Sequence, residues 1–222
     1  MHQKTARPAR GFSLIELLVV ILIISVLLTM GAVGLKSMGG KGTTTGIATA
    51  EAVFDEARAI AVGKGTRSRV LVDVNNPRDA DNYKRRMVVV YEELNPQGEP
   101  QKDKWVVSSR AIMLPEGVYF SETYSKKNHK SGDGNLDTEN IDTDKQAFNG
   151  NYIAYEFNSE GICQTAGASF ILGTGTRPLG EQPHVTGSAK RDFSGFVVWR
   201  NGRTSLFRGP EEMNIPTTVT TF

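Results

Sequence analysis

Four oxygen-bearing side chains in the middle of the chain have a spacing that suits a metal ion. Asp133, Asn135, Asp137 and Asp144 take the first, third, fifth and twelfth positions of a calcium-loop pattern. Thr138 stands where that pattern has its turn glycine, and Asp144 replaces its bidentate glutamate. The alternative is a solvated acidic insertion, because aspartates mixed with lysines also describe a disordered loop. Calcium therefore stays an open alternative to the prediction that the protein has no cofactor.

The residue types that usually carry catalysis are few and scattered. The single cysteine, Cys163, excludes an intrachain disulfide and any zinc site with two or more thiolates. His2, His129 and His184 form no Ser-His-Asp or His-x-x-x-His pattern. The glycine-rich stretch 173–176 lacks the strand–turn–helix context of a dinucleotide site, and we expect a loop there. The sequence therefore predicts that the protein is not an enzyme.

One acidic residue, Glu16, lies inside a long apolar stretch that runs from Phe12 to Leu35. This stretch is long enough to span a bilayer as a helix, which needs about 20 residues. Lys4, Arg7 and Arg10 precede it, so the positive-inside rule sends the C-terminal part across the membrane. An ordinary secretory signal peptide is the alternative, but its apolar region usually has about 7–15 residues and needs no carboxylate. Burying a carboxylate in a membrane costs free energy, so a functional role is the default interpretation of Glu16.

The residues around Glu16 form a specific pattern. From Gly11 the chain reads GFSLIELLVVILII after a basic leader, which closely resembles the signature of type IV prepilins and type II secretion pseudopilins. The resemblance implies that a prepilin peptidase cleaves between Gly11 and Phe12 and methylates the amino group of Phe12. It also implies that Glu16 of one subunit meets that amino group of a neighbouring subunit during filament assembly.

The remaining sequence predicts one amphipathic helix followed by strands. Apolar residues recur at steps of three and four from Ile47 to about Val62, whereas the glycines at 39–42 oppose a rigid helix. Asn201-Gly202 between two strand-like runs is a strong hairpin signal. The fold class is therefore α+β, with antiparallel strands packed on the helix. Strands are predicted at 69–74, 87–91, 105–108, 117–121, 152–157, 168–172, 196–200 and 203–207.

The downstream motifs extend the resemblance over most of the chain. Their order is similar to that of the GspH/FimT group of minor pseudopilins and minor pilins. This implies a pilin-like fold, a long N-terminal transmembrane helix packed on an antiparallel sheet. The motifs are Ala57–Ala61, Val70–Val72, Leu114–Val118, Phe157–Gly161, Phe196–Val198 and Gly202–Arg203.

These patterns divide the chain into four parts and predict its cellular location. The expected parts are a leader at 1–11, a transmembrane or filament-core helix at 12–35, a glycine-rich hinge with an amphipathic helix at 36–64, and a β-rich domain at 65–222. The expected location is the inner membrane, crossed once, with the C-terminal domain in the periplasm, and later the pseudopilus or pilus. Prepilin peptidase and other pilin or pseudopilin subunits are the implied partners.

Two function classes fit the sequence. The resemblance favours a minor structural subunit of a type II secretion pseudopilus or a type IV pilus. The alternative is a ligand- or DNA-binding minor pilin of a competence pilus. Its support is limited to four arginines, because the chain without its three leader cations has a net charge of −1. Salt-sensitive retardation of DNA by the soluble domain would favour the alternative. The four residues are Arg191, Arg200, Arg203 and Arg208.

Overall fold

The computed structural model describes Ile15 and residues 17–25, 39–178, 181–185 and 192–222. The chain divides into two compact units, Met1–Met38 and Gly39–Phe222. In the first unit, Ile15 and residues 17–25 are helical, and their apolar side chains are exposed. Among the described residues, no helix has both the length and the apolar character needed to cross a membrane. The predicted span at 12–35 lies largely outside the described residues.

The second unit begins with helix α1 (Gly39–Lys64). Ile47, Ala50, Phe54, Ala57 and Ala61 are all buried, as the helical periodicity predicts. These side chains form the face that packs on the strands.

The helix already includes Gly39, Gly40 and Gly42, which the sequence predicts to oppose a rigid helix. The strands that contain Val118 and Leu172 lie close against this end of α1. A Cβ atom at Gly42 would lie 3.2 Å from Val118 Cγ2, and one at Gly46 would lie 3.0 Å from Leu172 Cδ1. The absence of side chains at Gly42 and Gly46 therefore allows a close approach of helix and sheet.

Twelve strands follow α1 among the described residues, and they form two main antiparallel sheets and a small ribbon. The first sheet has the order β3-β2-β1-β9-β8, with β4 paired to β2, and the second has the order β12-β11-β10-β5. The ribbon consists of β6 and β7. The predicted α+β class is confirmed. The strands are β1 (Ser68–Asp73), β2 (Arg86–Leu94), β3 (Pro100–Val107), β4 (Ile112–Met113), β5 (Val118–Phe120), β6 (Lys126–Asn128), β7 (Asp133–Asn135), β8 (Thr138–Ile141), β9 (Gly150–Phe157), β10 (Ser169–Thr174), β11 (Phe193–Val198) and β12 (Thr204–Leu206).

The main core lies between α1 and both sheets, and aromatic rings fill its centre. The ring centroid of Phe54 lies 5.0 Å from those of Tyr155 and Phe196 and 5.4 Å from that of Phe170. All four rings are fully buried. Such edge-to-face ring pairs stabilise a core beyond the area that they bury.

The outer face of the first sheet is buried as well, by the end of β8 and the segment that follows it. Ile141 and Phe148 pack there with Tyr152 and the strand residues around it. The backbone N–H of Asp144 donates to the carbonyl of Trp105 at 2.9 Å, so this segment reaches the opposite edge strand, β3. Residues expected to be a solvated insertion therefore cover a second core.

The outer face of the second sheet is covered by the C-terminal segment. Met213, Ile215, Val219 and Phe222 are buried there against residues that include Phe193. The predicted loop at 173–176 is wrong for its first two residues, because they continue strand β10.

Glycine is required in β10 because Phe222 approaches the backbone closely. A Cβ atom at Gly173 would lie 2.4 Å from Phe222 Cε1 and 2.5 Å from Phe193 Cε1. Gly173 therefore leaves space for two rings.

Candidate functional site

The residues of the processing pattern lie outside the described residues. These are Gly11, Phe12 and Glu16. The described residues on either side of Glu16 are Ile15, which is helical, and the helical run at 17–25. Cleavage, methylation and the assembly role of Glu16 therefore stay predictions from the sequence.

The calcium pattern does not form the loop that the prediction requires. Asp133 and Asn135 lie in strand β7, which pairs with β6, whereas Asp144 follows β8. Asp133 and Asn135 lie on an extended strand and Asp144 contacts β3, so this segment is not wound around a central point as a calcium loop is. Among the described residues, no three His, Cys, Asp or Glu side chains are grouped so that they could hold a metal ion.

Asn135, Asp137 and Asp144 have side-chain partners within the protein. Lys126 Nζ donates to Asn135 Oδ1 at 2.7 Å, and Lys127 forms an ion pair with Asp137. Asp144 Oδ1 accepts a hydrogen bond from the backbone N–H of Val107 at 2.8 Å. The Asp144 contact joins the insertion to β3 of the first sheet, whereas the two lysine contacts lie across the β6–β7 ribbon and the residues that follow it. Calcium binding stays an untested prediction that the geometry does not favour.

A charged network lies at the edge where strand β2 bends. Arg67 forms ion pairs with Glu92, Asp103 and Glu156. The side chain of Glu92 is 4% exposed and also accepts a hydrogen bond from the backbone N–H of Asp103 at 3.0 Å. The pairing of β2 with β3 shifts register beside Glu92. The network therefore stabilises this irregular edge.

The network makes the stability of the folded state depend on pH. Burial alone would raise the pKa of Glu92, but hydrogen bonds from Arg67 and from the Asp103 backbone hold that pKa below its usual value. The hydrogen bond with Glu92 in turn raises the pKa of Arg67. Glu92 therefore favours the folded state only while it is ionised.

We expect the stability of the Gly39–Phe222 fragment to fall in acid partly because of Glu92. A carboxyl group with a depressed folded pKa adds stability above its unfolded pKa, about 4.3, and this stability is lost as the pH falls through the folded pKa. Denaturant unfolding at a series of pH values should show a weaker acid dependence for Glu92→Gln. The control is Glu160→Gln at an exposed turn, and an unchanged acid slope for Glu92→Gln would contradict the expectation.

Three motifs of the GspH/FimT resemblance meet at one place. Arg58 of α1 extends to the turn that ends at Gly161, where its Nε donates to the Gly161 carbonyl at 3.3 Å. A Cβ atom at Gly202 would lie 2.6 Å from Arg58 Cδ and 2.6 Å from the Gly161 oxygen. Gly161 and Gly202 both have a φ of +74°, which favours glycine. The site joins the helix to two turns, and its role is structural.

The arginines of the DNA alternative lie near the β11–β12 hairpin. Arg200, Arg203 and Arg208 are exposed, and Arg191 lies outside the described residues. Trp199 on the same hairpin is 50% exposed, and its Nε1 donates to Ser205 Oγ at 2.7 Å. The exposure of Trp199 could not be predicted from the sequence, because its position indicates a strand residue and not which face it occupies.

The cysteine and the described histidines have no catalytic arrangement. Cys163 is buried, and burial raises the pKa of its thiol. His129 Nε2 lies 2.7 Å from the carbonyl oxygen of Glu212, and His184 lies 3.4 Å from Glu181. The described side chains thus include no Cys–His or Ser–His pair at hydrogen-bond distance.

Comparisons with known proteins give two kinds of similarity. Among curated proteins, none matches this sequence. Two solved structures of the minor pseudopilin EpsH from the type II secretion system of Vibrio cholerae are similar at 15% and 16% sequence identity. Each alignment covers 76% of this chain, and they cover 98% and 94% of the EpsH chains, with TM-scores of 0.35 and 0.36.

A family model matches the N-terminal segment. Residues 6–32 match the prokaryotic N-terminal methylation motif. The match includes the leader cations Arg7 and Arg10, the Gly11–Phe12 bond and Glu16. The predicted resemblance to the type IV pilin and pseudopilin superfamily is thereby confirmed at this segment, and the chain carries the N-terminal methylation motif of prokaryotic pilins.

Proposed function

We propose that this protein is a minor structural subunit of a type II secretion pseudopilus or a type IV pilus. The observation that carries the proposal is the match of residues 6–32 to the N-terminal methylation motif. The compact α+β unit Gly39–Phe222 is the domain that such a subunit presents outside the membrane. The protein is then an assembly component and not an enzyme.

The proposed life history has two stages. The precursor is anchored in the inner membrane by the segment from Phe12 to Leu35, with the folded domain in the periplasm. Prepilin peptidase hydrolyses the Gly11–Phe12 bond and methylates the new amino group. The mature chain then leaves the bilayer and packs with other pilin or pseudopilin subunits in a filament.

Processing is the experiment that tests this proposal. We expect N-terminal mass spectrometry of membrane-extracted protein to find a mature chain that begins with methylated Phe12. Gly11→Leu should leave the leader attached, because it removes the small residue before the cleaved bond. The control is Arg7→Lys, which keeps the leader charge. A mature start beyond Met30, or an intact Met1 in the presence of active prepilin peptidase, would overturn the proposal.

DNA binding is the second candidate. Trp199 is half exposed on the hairpin that carries Arg200 and Arg203. An exposed ring can stack on a base while arginines contact phosphates. The salt-sensitive retardation described above distinguishes this candidate, since a purely structural subunit would not retard DNA.

A further inference from the structure

A groove lies between the first half of α1 and the edge of the second sheet. Its floor and walls are mostly apolar, and its volume is about 270 Å³. Leu206 of strand β12 is 56% exposed at its rim. The residues that line it among those described are Thr44, Ile47, Ala48, Glu51, Ser194, Gly195, Leu206 and Phe207.

Among the described residues, no strand pairs with the outer edge of β12, the strand beside the groove. Strand β12 pairs with β11 through residues 204–206 and stands at the end of the sheet order. An edge strand presents backbone N–H and C=O groups that an added extended chain can pair with. The groove therefore combines a pocket for a side chain with a template for a strand.

The helix wall of the groove has a single sign of charge. Glu51 is the charged residue among the described residues that line the groove, whereas Glu56 accepts a hydrogen bond from Ser108 beside the first sheet. Glu51 Oε1 accepts a hydrogen bond from Thr204 Oγ1 at 2.7 Å, which links this wall to β12. Asp55 lies one helical turn further along and is exposed. A complementary occupant therefore has basic residues next to apolar ones.

We propose that this groove binds an extended basic and apolar segment of a neighbouring filament subunit. The segment pairs its backbone with the edge of β12 and inserts an aliphatic side chain between Ile47 and Leu206. A lysine or arginine of the segment lies against Glu51 and Asp55. This inference rests on the proposed function and adds the domain surface by which the subunit contacts its neighbour.

Filament incorporation of the full chain tests the apolar contact. Leu206→Arg should lower the fraction of processed protein recovered with partner subunits at least tenfold, because it fills the pocket with a cation. Met113→Arg is the matched control, since Met113 is 39% exposed and lies on β4 of the other sheet. Thermal unfolding of the two variants should be equal, which separates binding from folding. Wild-type recovery of Leu206→Arg would overturn the inference.

Charge and crosslinking identify the occupant. Asp55→Lys should lower incorporation, and higher salt should weaken the association of the wild-type chain. Because Cys163 is buried, a cysteine introduced at Ala48 offers an accessible thiol for a photoreactive label. Crosslinked peptides should come from a basic, extended segment of another subunit with a methylated N-terminus. Crosslinks to a second copy of this chain, or the same products from a label at Thr138, would overturn the inference.

Two controls separate this inference from the proposed function. If Glu16→Ala lowers incorporation and Leu206→Arg does not, the groove inference fails and the proposed function stands. If the wild-type chain is neither cleaved at Gly11 nor found with partner subunits, both fail.

Discussion

Replacing Phe54 by alanine should lower the free energy of unfolding of the Gly39–Phe222 fragment by roughly 3–5 kcal/mol. Phe54 is fully buried at the point where α1 meets both sheets. Its ring contacts those of Tyr155, Phe170 and Phe196, so its removal leaves a cavity that several rigid elements border. Denaturant unfolding of the purified fragment measures the loss.

The same helix provides the control. Val62 is 53% exposed, so Val62→Ala should change the unfolding free energy by less than about 0.5 kcal/mol. A loss below about 1 kcal/mol for Phe54→Ala would mean that the helix face is wrongly assigned. Failure of the fragment to fold would contradict the division of the chain at residue 38.

Replacing Glu16 by alanine should strongly reduce assembly while leaving membrane insertion and Gly11 cleavage intact. An unpaired carboxylate is costly in low dielectric, and the resemblance supplies a partner, the cationic amino group of Phe12 in a neighbouring subunit. Pairing of the two charges would set the axial register of an otherwise uniform apolar helix. Co-purification with partner subunits at equal membrane levels measures the effect.

Ser25 provides a matched control within the same apolar segment. Its Oγ donates to the Ile21 carbonyl at 2.8 Å, so its polarity is satisfied within its own helix. Ser25→Ala should therefore assemble as the wild type does, whereas Glu16→Asp should retain part of the assembly. Unchanged incorporation of Glu16→Ala would show that the acid does not set the register.

Local patterns were sufficient to predict α1 and the main hairpins. The periodicity from Ile47 to Val62 gives the buried face because a helix repeats every 3.6 residues. The Asn201-Gly202 turn identifies the β11–β12 hairpin, and Gly202 has the positive φ that such a turn needs. These features depend on residues close in sequence, which is why the sequence reveals them.

The insertion between β5 and β9 could not be predicted in the same way. Its acidic residues suggested solvation or calcium, yet Ile141 and Phe148 pack on the first sheet. Two isolated apolar residues form no periodic pattern, and their burial depends on a distant strand. The glycines at 42 and 173 were misinterpreted for a similar reason, since each is explained by a distant side chain that packs against it.

The two candidate sites also differ in how far apart their residues lie in the sequence. The N-terminal methylation motif is a contiguous string, so its residues are recognisable without a structure. The groove beside β12 joins residues of α1 to residues about 150 positions later, such as Leu206. No pattern in either segment alone indicates that they meet.

The burial of Phe222 has a consequence for the order in which the domain is completed. Chains are made and exported from the N-terminal end, and folding begins on the part that has emerged. The rings of Phe193 and Tyr119 are covered by a later part of the chain that includes Phe222. Until that residue has emerged, one face of the second sheet is open to water. A partly emerged chain therefore exposes an aromatic surface that holdase chaperones and proteases can bind. The longer the chain stays in that state, the longer this surface is accessible to them.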